Sequence, residues 1–464
     1  MFLIVCLINI NFNILRSVRN ALVVADKGGS AAFIPYFELF GTFPASILLT
    51  WGLTRLMRFF SLRMIFSMTM LFFLSFFLVF AFWIYPHRAE IQLLLESKLG
   101  LLFGLTRFKV IFTHWPDMVF YIMSELWKVA LLSVIFWGFI NQRLSLDEAK
   151  RFYPPLMLGG SIGAILAGPI TVFCTSHLSW NLFALSELRW QHALYLLTFF
   201  MVLCGVLTLV TFGALSKRFK QAVTNVITPE KKEPFSRRLL SLSSSLRYLL
   251  KSPYLGALFL IVIAEYVSYA LGELVFLETL KARYPTPSDY CQYMGNLTLW
   301  TGLLTACSAL FFTPYALQTY RWSRNMLITP ALMVLMTLAF FAVVCCDKGH
   351  SLLPLATLLG SLHFCIGRSV KYTFFDSTKE IAFIPLSQEA QVKGKLIIDG
   401  IGSRLGRGAS SMLSIFLFLL LGGPAESALF AGILAISFAL MAIPAARFIG
   451  DELEKMTPSA EILP

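Results

Sequence analysis

The chain is short of charge. Only 14% of its 464 residues are Asp, Glu, Lys or Arg, against about a quarter in an ordinary soluble domain. So few charges cannot dress a surface that meets water on every side. With 57% hydrophobic residues and a mean hydropathy of +0.74, a soluble enzyme, a disordered chain and a repeat solenoid are excluded. Acids are scarcer than bases, 25 Asp and Glu against 38 Lys and Arg, a formal charge of +13. In a membrane protein that excess marks basic cytoplasmic loops rather than nucleic acid. The eight cysteines contain no C-x-x-C pair. Cys6, Cys174, Cys204, Cys307, Cys345, Cys346 and Cys365 lie in apolar runs and read as small packing residues. The six histidines form no H-E-x-x-H or other metal spacing, so neither a metal nor a cofactor is expected. A G-x-x-x-x-G-K-[ST] loop is missing too, which excludes an ATPase motor of that type.

What the chain has in abundance is apolar length. A spanning helix needs about 20 mainly apolar residues. Such runs cover residues 2–15, 33–53, 64–85, 118–140, 155–175 and 193–215, and then 255–279, 295–317, 326–346, 352–375, 396–422 and 428–449. That predicts an all-α polytopic membrane protein of about twelve transmembrane helices. A polar stretch divides them into two six-helix bundles, residues 1–215 and 252–450, joined by a basic linker at 216–251 and followed by a tail at 451–464. The first run is short, and Asn9, Asn11 and Asn13 interrupt it. No basic region precedes it and no small-residue cleavage motif follows, so it reads as a clipped first helix rather than a signal peptide. Lys and Arg concentrate at 54–63, 142–151, 216–251, 320–325 and 376–395. Basic loops stay inside, which predicts two cytoplasmic termini.

An ionisable side chain at the bilayer centre costs on the order of 2.5–3.5 kcal/mol on insertion scales, so each one needs a reason. Here they cluster. The fourth run carries Tyr121, Glu125 and Lys128 on one helical face, because residues three and four apart are neighbours. Glu125 either pairs with Lys128 or faces a polar cavity. The seventh carries Glu265, Tyr269, Gly272 and Glu273 on one stripe. The tenth ends with Arg368, Lys371 and Tyr372, followed by Asp376, Lys379 and Glu380; the eleventh holds Asp399, Arg404 and Arg407 among glycines. Arg19 and Lys27 sit near the first run's exit, and Glu38 stands between Pro35 and Pro44, where kinks are expected. Arginine forks and lysine point charges clamp phosphate. Carboxylates bind ribose hydroxyls, counter those cations or carry protons. Tyr121, Trp127, Tyr269 and Trp300 are aromatics that either stack on a base or fill the core. The pattern predicts passage of an organic anion, with the acids and cations of both bundles as its contacts.

Particular stretches then look familiar. Phe375-Asp-Ser-Thr-Lys-Glu-Ile-Ala-Phe-Ile-Pro385, continuing through Val392-Lys-Gly-Lys395 to Asp399, resembles the nucleotide transporter (ATP/ADP translocase) family of plastids and obligate intracellular bacteria. Tyr284-Pro-Thr-Pro287, Met294-Gly-Asn-Leu-Thr-Leu-Trp-Thr-Gly302, Ser124-Glu-Leu-Trp127 and Arg19-Asn-Ala-Leu-Val-Val24 with Phe33-Ile-Pro35 are similar to it as well, in order along nearly the whole chain. The resemblance implies a major-facilitator-like carrier of twelve helices, working by alternating access with nucleotide held between its halves. It implies functional residues at Arg19, Glu125, Glu273, and Lys379 or the Lys393 and Lys395 pair. With the charge reading, the candidate substrate contacts are Arg19, Glu125, Lys128, Glu273, Arg368, Lys371, Lys379, Lys393, Lys395, Asp399 and Arg404.

Departures from the family pattern redistribute charge. Arg19-Asn20 replaces a Lys-Asp pair, Ala32 an acid, Glu38 a lysine and Lys128 a small residue. The resemblance implies a transporter and no enzyme, with ATP, ADP or other nucleotides as substrates and the bacterial inner membrane as its place. ATP:ADP exchange with phosphate as a companion, and net import driven by a proton on Glu125 or Glu273, both remain open. Two fused bundles predict a monomer.

Overall fold

The computed structural model describes residues 1–57, 59–88, 90, 114–141, 146–176, 186–223, 252–346, 351–387, 391, 394–395, 398 and 402–456. Most of the expected linker, along with Lys393 and Asp399, lies outside the described residues. There are 12 helices long and apolar enough to cross a membrane. In chain order they are α1 (Phe2–Ala25), α2 (Phe33–Leu56), α3 (Leu62–Ile84), α4 (Trp115–Ile140), α5 (Leu158–Thr175) and α6 (Arg189–Ser216). There follow α7 (Pro253–Arg283), α8 (Pro287–Thr319), α9 (Trp322–Cys346), α10 (Leu353–Ile381), α11 (Ser403–Leu421) and α12 (Ala428–Met456). No strand occurs among the described residues.

α1 is where the sequence expectation was too short. The helix runs ten residues past position 15, to Ala25, through Arg16 and Arg19, which are buried against protein. Its asparagines do not break it, because each amide finds an acceptor. Asn9 Nδ2 donates to the Val5 carbonyl at 2.8 Å and Asn13 Nδ2 to that of Asn9 at 2.8 Å, while Asn11 Nδ2 crosses to the Met201 carbonyl of α6 at 3.0 Å. In a bilayer such satisfaction must come from protein, so a polar stripe places α1 inside its bundle.

Several helices widen by one residue per turn, at Ala21–Ala25, Phe37–Thr42, Phe80–Ile84, Lys128–Phe136, Ser308–Phe312 and Lys371–Phe375. An added residue rotates the following helical face, and such π turns recur at functional positions. The irregularity expected between Pro35 and Pro44 is the turn at Phe37–Thr42. Pro44 follows directly, at the start of the regular stretch Phe43–Leu56.

By contact the chain forms two compact units, Met1–Glu230 with Tyr284–Leu303, and Lys231–Arg283 with Leu304–Pro464. The first part of α8 counts with the first unit because glycines bring it to backbone distance of α5. A Cβ on Gly168 would stand 2.8 Å from the Gly295 carbonyl oxygen, and one on Gly302 2.9 Å from the Ile165 nitrogen. Without a hydrophobic drive between helices in lipid, such close approach supplies the packing.

The end of α1 is tied down outside the spans. Gly29 N–H closes a turn on the Asp26 carbonyl at 2.8 Å, and Gly28 takes its φ of 75°, which a side chain would resist. Asp26 accepts from both terminal nitrogens of Arg88, one at 3.1 Å, and from the Tyr85 hydroxyl at 3.3 Å. Burial, with the Asp26 carboxylate beside it, pushes the Tyr85 hydroxyl well above its ordinary range.

Candidate functional site

In the first unit three helices converge on Arg19. Its Nη1 donates to Glu125 Oε1 of α4, and its guanidinium lies over the Tyr121 ring, 4.6 Å from the centroid. Tyr121 in turn donates to Glu38 Oε1 of α2 at 3.0 Å. Tyr121 and Glu125 share a face because they are four residues apart. Arg19 Nε is buried and has no acceptor among the described residues. The guanidinium is therefore paired with one acid, with a second, Glu38, reached through Tyr121, and its Nε is unspent. The Lys128 ammonium lies 4.8 Å from the Phe12 ring centroid. Trp127 is core: its indole donates to the Ile8 carbonyl at 3.2 Å and its ring packs edge-on against Phe73.

The second unit repeats the arrangement with other helices. Arg368 of α10 reaches Glu273 of α7 at 3.7 Å, and its Nε donates to the Tyr269 hydroxyl at 2.9 Å. Tyr269 and Glu273 are again four apart on one face. The Phe364 ring backs the guanidinium at 4.9 Å. Deeper along α7 sits Glu265, buried, with Oε1 unpartnered among the described residues. Lys371 acts on it electrostatically, while its own ammonium rests over the Tyr266 ring at 3.2 Å.

The remaining candidates scatter. Lys379 pairs with Asp376 at 3.6 Å, one turn back on its own helix. Lys395 pairs with Glu380 at 2.5 Å in an exposed setting, Arg404 is half-buried, and Trp300 is exposed. The structure thus brings Arg19 together with Glu125, and Arg368 with Glu273. It adds Glu38, an acid between two prolines where the resembled family has a lysine, and His363, a lone histidine that signalled nothing.

Twelve apolar helices, with an arginine–glutamate pair in each unit, make a polytopic membrane protein of the major-facilitator fold. Solved structures agree on the fold: the nucleoside transporter NupG aligns with a TM-score of 0.60 at 12% identity over 97% of this chain and 98% of that one. A D-xylose–proton symporter aligns at 0.56 and 14% identity over 99% and 98%. The profile of the TLC ATP/ADP transporter family matches residues 1–452. The chain belongs to that family. ADP,ATP carrier protein 1 of Chlamydia trachomatis is 30% identical over 447 residues, covering 91% of this chain and 82% of that carrier. The chloroplastic ADP,ATP carrier protein 1 of Arabidopsis thaliana is 30% identical over 465 residues, covering 97% and 73%. ADP,ATP carrier protein 3 of Rickettsia bellii is 29% identical over 440 residues, covering 91% and 87%.

Proposed function

We propose that this protein carries nucleotides by alternating access and exchanges ATP for ADP. The observation that carries the reading is the buried Arg19, paired with Glu125 and stacked on Tyr121 with its Nε unspent. A guanidinium presents a planar fork that matches phosphate oxygens. The carboxylates of Glu125 and Glu273 hold the two arginines, and an arriving phosphate replaces them. The carboxylates also lower the cost of keeping each cation away from water, since an unpaired buried charge is strongly unfavourable. Arg19 and Arg368 are the phosphate contacts in this reading, with Lys371, Lys379 and Lys395 as further positive charge. Relatives named ADP,ATP carriers support the substrate. In this reading both termini lie on the cytoplasmic side, as the basic loops support, in a bacterial inner membrane, with phosphate or a proton as companion and a monomer as the working unit.

The test is uptake of radiolabelled ATP into proteoliposomes, empty or preloaded with ADP, with and without a proton gradient. Uptake confined to preloaded vesicles is expected. Uptake into empty vesicles that a protonophore abolishes would replace exchange with proton-driven import, and no ATP movement in any vesicle would remove ATP as the substrate.

A further inference from the structure

α7 and α10 meet through three contacts that alternate large against small. A Cβ on Gly367 would stand 3.0 Å from the Tyr269 ring, one on Gly272 2.4 Å from His363 Cε1, and one on Gly360 2.3 Å from Phe276 Cδ2. Residues 269, 272 and 276 of α7 thus meet 367, 363 and 360 of α10, in antiparallel register. Each close approach seats one ring on one glycine, which fixes both the spacing and the register of the two helices.

The middle contact is unlike its neighbours. His363 is completely buried, and neither ring nitrogen has a partner among the described residues. Leaving polar atoms unpaired costs about 1–3 kcal/mol each, so the imidazole is not there for local stability. Its ring lies parallel to Tyr269, with centroids 6.0 Å apart and planes at 9°, and Phe340 of α9 backs it at 6.2 Å. Tyr269 thus meets both Gly367 and His363 of α10. It is also the residue whose hydroxyl accepts from Arg368 Nε. Two of these three glycines stand directly before the members of the ion pair, as Gly272-Glu273 and Gly367-Arg368.

We propose that His363 is a positioning residue. Seated on Gly272 and stacked on Tyr269, it holds the tyrosine hydroxyl where Arg368 donates to it, and so sets how that arginine meets a nucleotide phosphate. The inference rests on the proposed nucleotide transport. It is specific about geometry: the space that Gly272 leaves open and the ring that fills it act as one unit.

A size swap tests it. Gly272→Ala pushes the imidazole off its seat, and His363→Ala removes the ring behind Tyr269. Each is expected to raise the apparent KM for ATP about tenfold, equivalent to 1.4 kcal/mol of binding. In the double variant the new methyl enters the vacated space, and KM is expected to return to within about threefold of the parent, a favourable coupling that independent sites would not show. Gly432→Ala is the packing control, because its Cβ would meet Phe341 at 2.8 Å in the same unit away from the pair. It is expected to lower the unfolding temperature and leave KM alone. A double variant no better than the worse single one, or a Gly272→Ala protein with parental KM, overturns the proposal.

A second readout needs no nucleotide, so failure of the transport reading stays separate. The thermal-stability coupling between Arg368→Ala and Glu273→Ala is expected to fall away in the Gly272→Ala background. Coupling that persists there unchanged overturns the positioning role even if the parent moves no nucleotide at all.

Discussion

In the first unit the arginine comes from α1 and meets a Tyr-x-x-x-Glu face on α4. In the second the Tyr-x-x-x-Glu face is on α7, and the arginine comes from α10. In both cases the first and fourth helices of a set of six are joined, but cation and acid have changed places. A tyrosine four residues before a glutamate sets a hydroxyl and a carboxylate one turn apart on one face, where a single guanidinium can address both. The two versions differ in tightness. The Arg19 and Glu125 side chains are 7% and 11% exposed and directly hydrogen-bonded. Those of Arg368 and Glu273 are 18% and 22% exposed and 3.7 Å apart. The tyrosines differ likewise. Tyr121 gives its hydroxyl proton to a second acid, Glu38, whereas Tyr269 accepts from the arginine itself. A drier site makes a charge pair stronger and its breaking costlier. The first unit should therefore be rigid where the second is adjustable.

The sharpest way to break this comparison is Arg19→Ala. It removes the guanidinium that bonds Glu125 in a dry site, a loss on the order of 3–5 kcal/mol. ATP uptake should disappear while the variant still reaches the membrane fraction. If Arg368→Ala lowers the unfolding temperature as much as Arg19→Ala does, the distinction between tight and loose fails. Next comes Glu273→Gln, which frees an arginine in a half-open setting. Uptake should fall by about tenfold or more, with the unfolding temperature nearly unmoved.

The tyrosines give a smaller and more discriminating pair. Tyr121→Phe removes a hydrogen bond between two groups that flank the arginine, worth about 1 kcal/mol, so it should cost stability before affinity. Tyr269→Phe removes the acceptor of Arg368 Nε and should raise the KM for ATP first. Titrating uptake and thermal unfolding of both variants side by side checks the order, and the reverse order would undo the assignment. Smallest is Lys395→Ala. Its pair with Glu380 is 46% exposed on both sides, so stability should change by less than about 0.5 kcal/mol. Any loss of uptake in that variant then reports contact with the nucleotide rather than a structural role.

The members of the two ion pairs were legible residue by residue. Arg19, Glu125, Glu273 and Arg368 stand out because an ionisable group in an apolar run carries a cost that sequence alone reveals. Their partners do not stand out. The near neighbour of Glu125 along the helix is Lys128, yet the carboxylate is also met by Arg19, 106 residues away. Asp26 and Arg88, 62 residues apart, anchor one end of α1. His363 had no signal at all, because a lone histidine among apolar residues usually packs as core, and its meaning depends on Gly272 across the interface.

The twelve spans, their order and the presence of buried charge follow from the sequence by itself. Hydropathy is a property of a segment, and the bilayer judges each segment separately. The length of α1, the grouping of the start of α8 with the first unit and the choice of partner for each acid were decided only by the tertiary structure. Those outcomes depend on which glycine lets which helix come close and which arginine then falls within reach. Such distances belong to pairs of segments far apart in the chain, and no window along the sequence contains both.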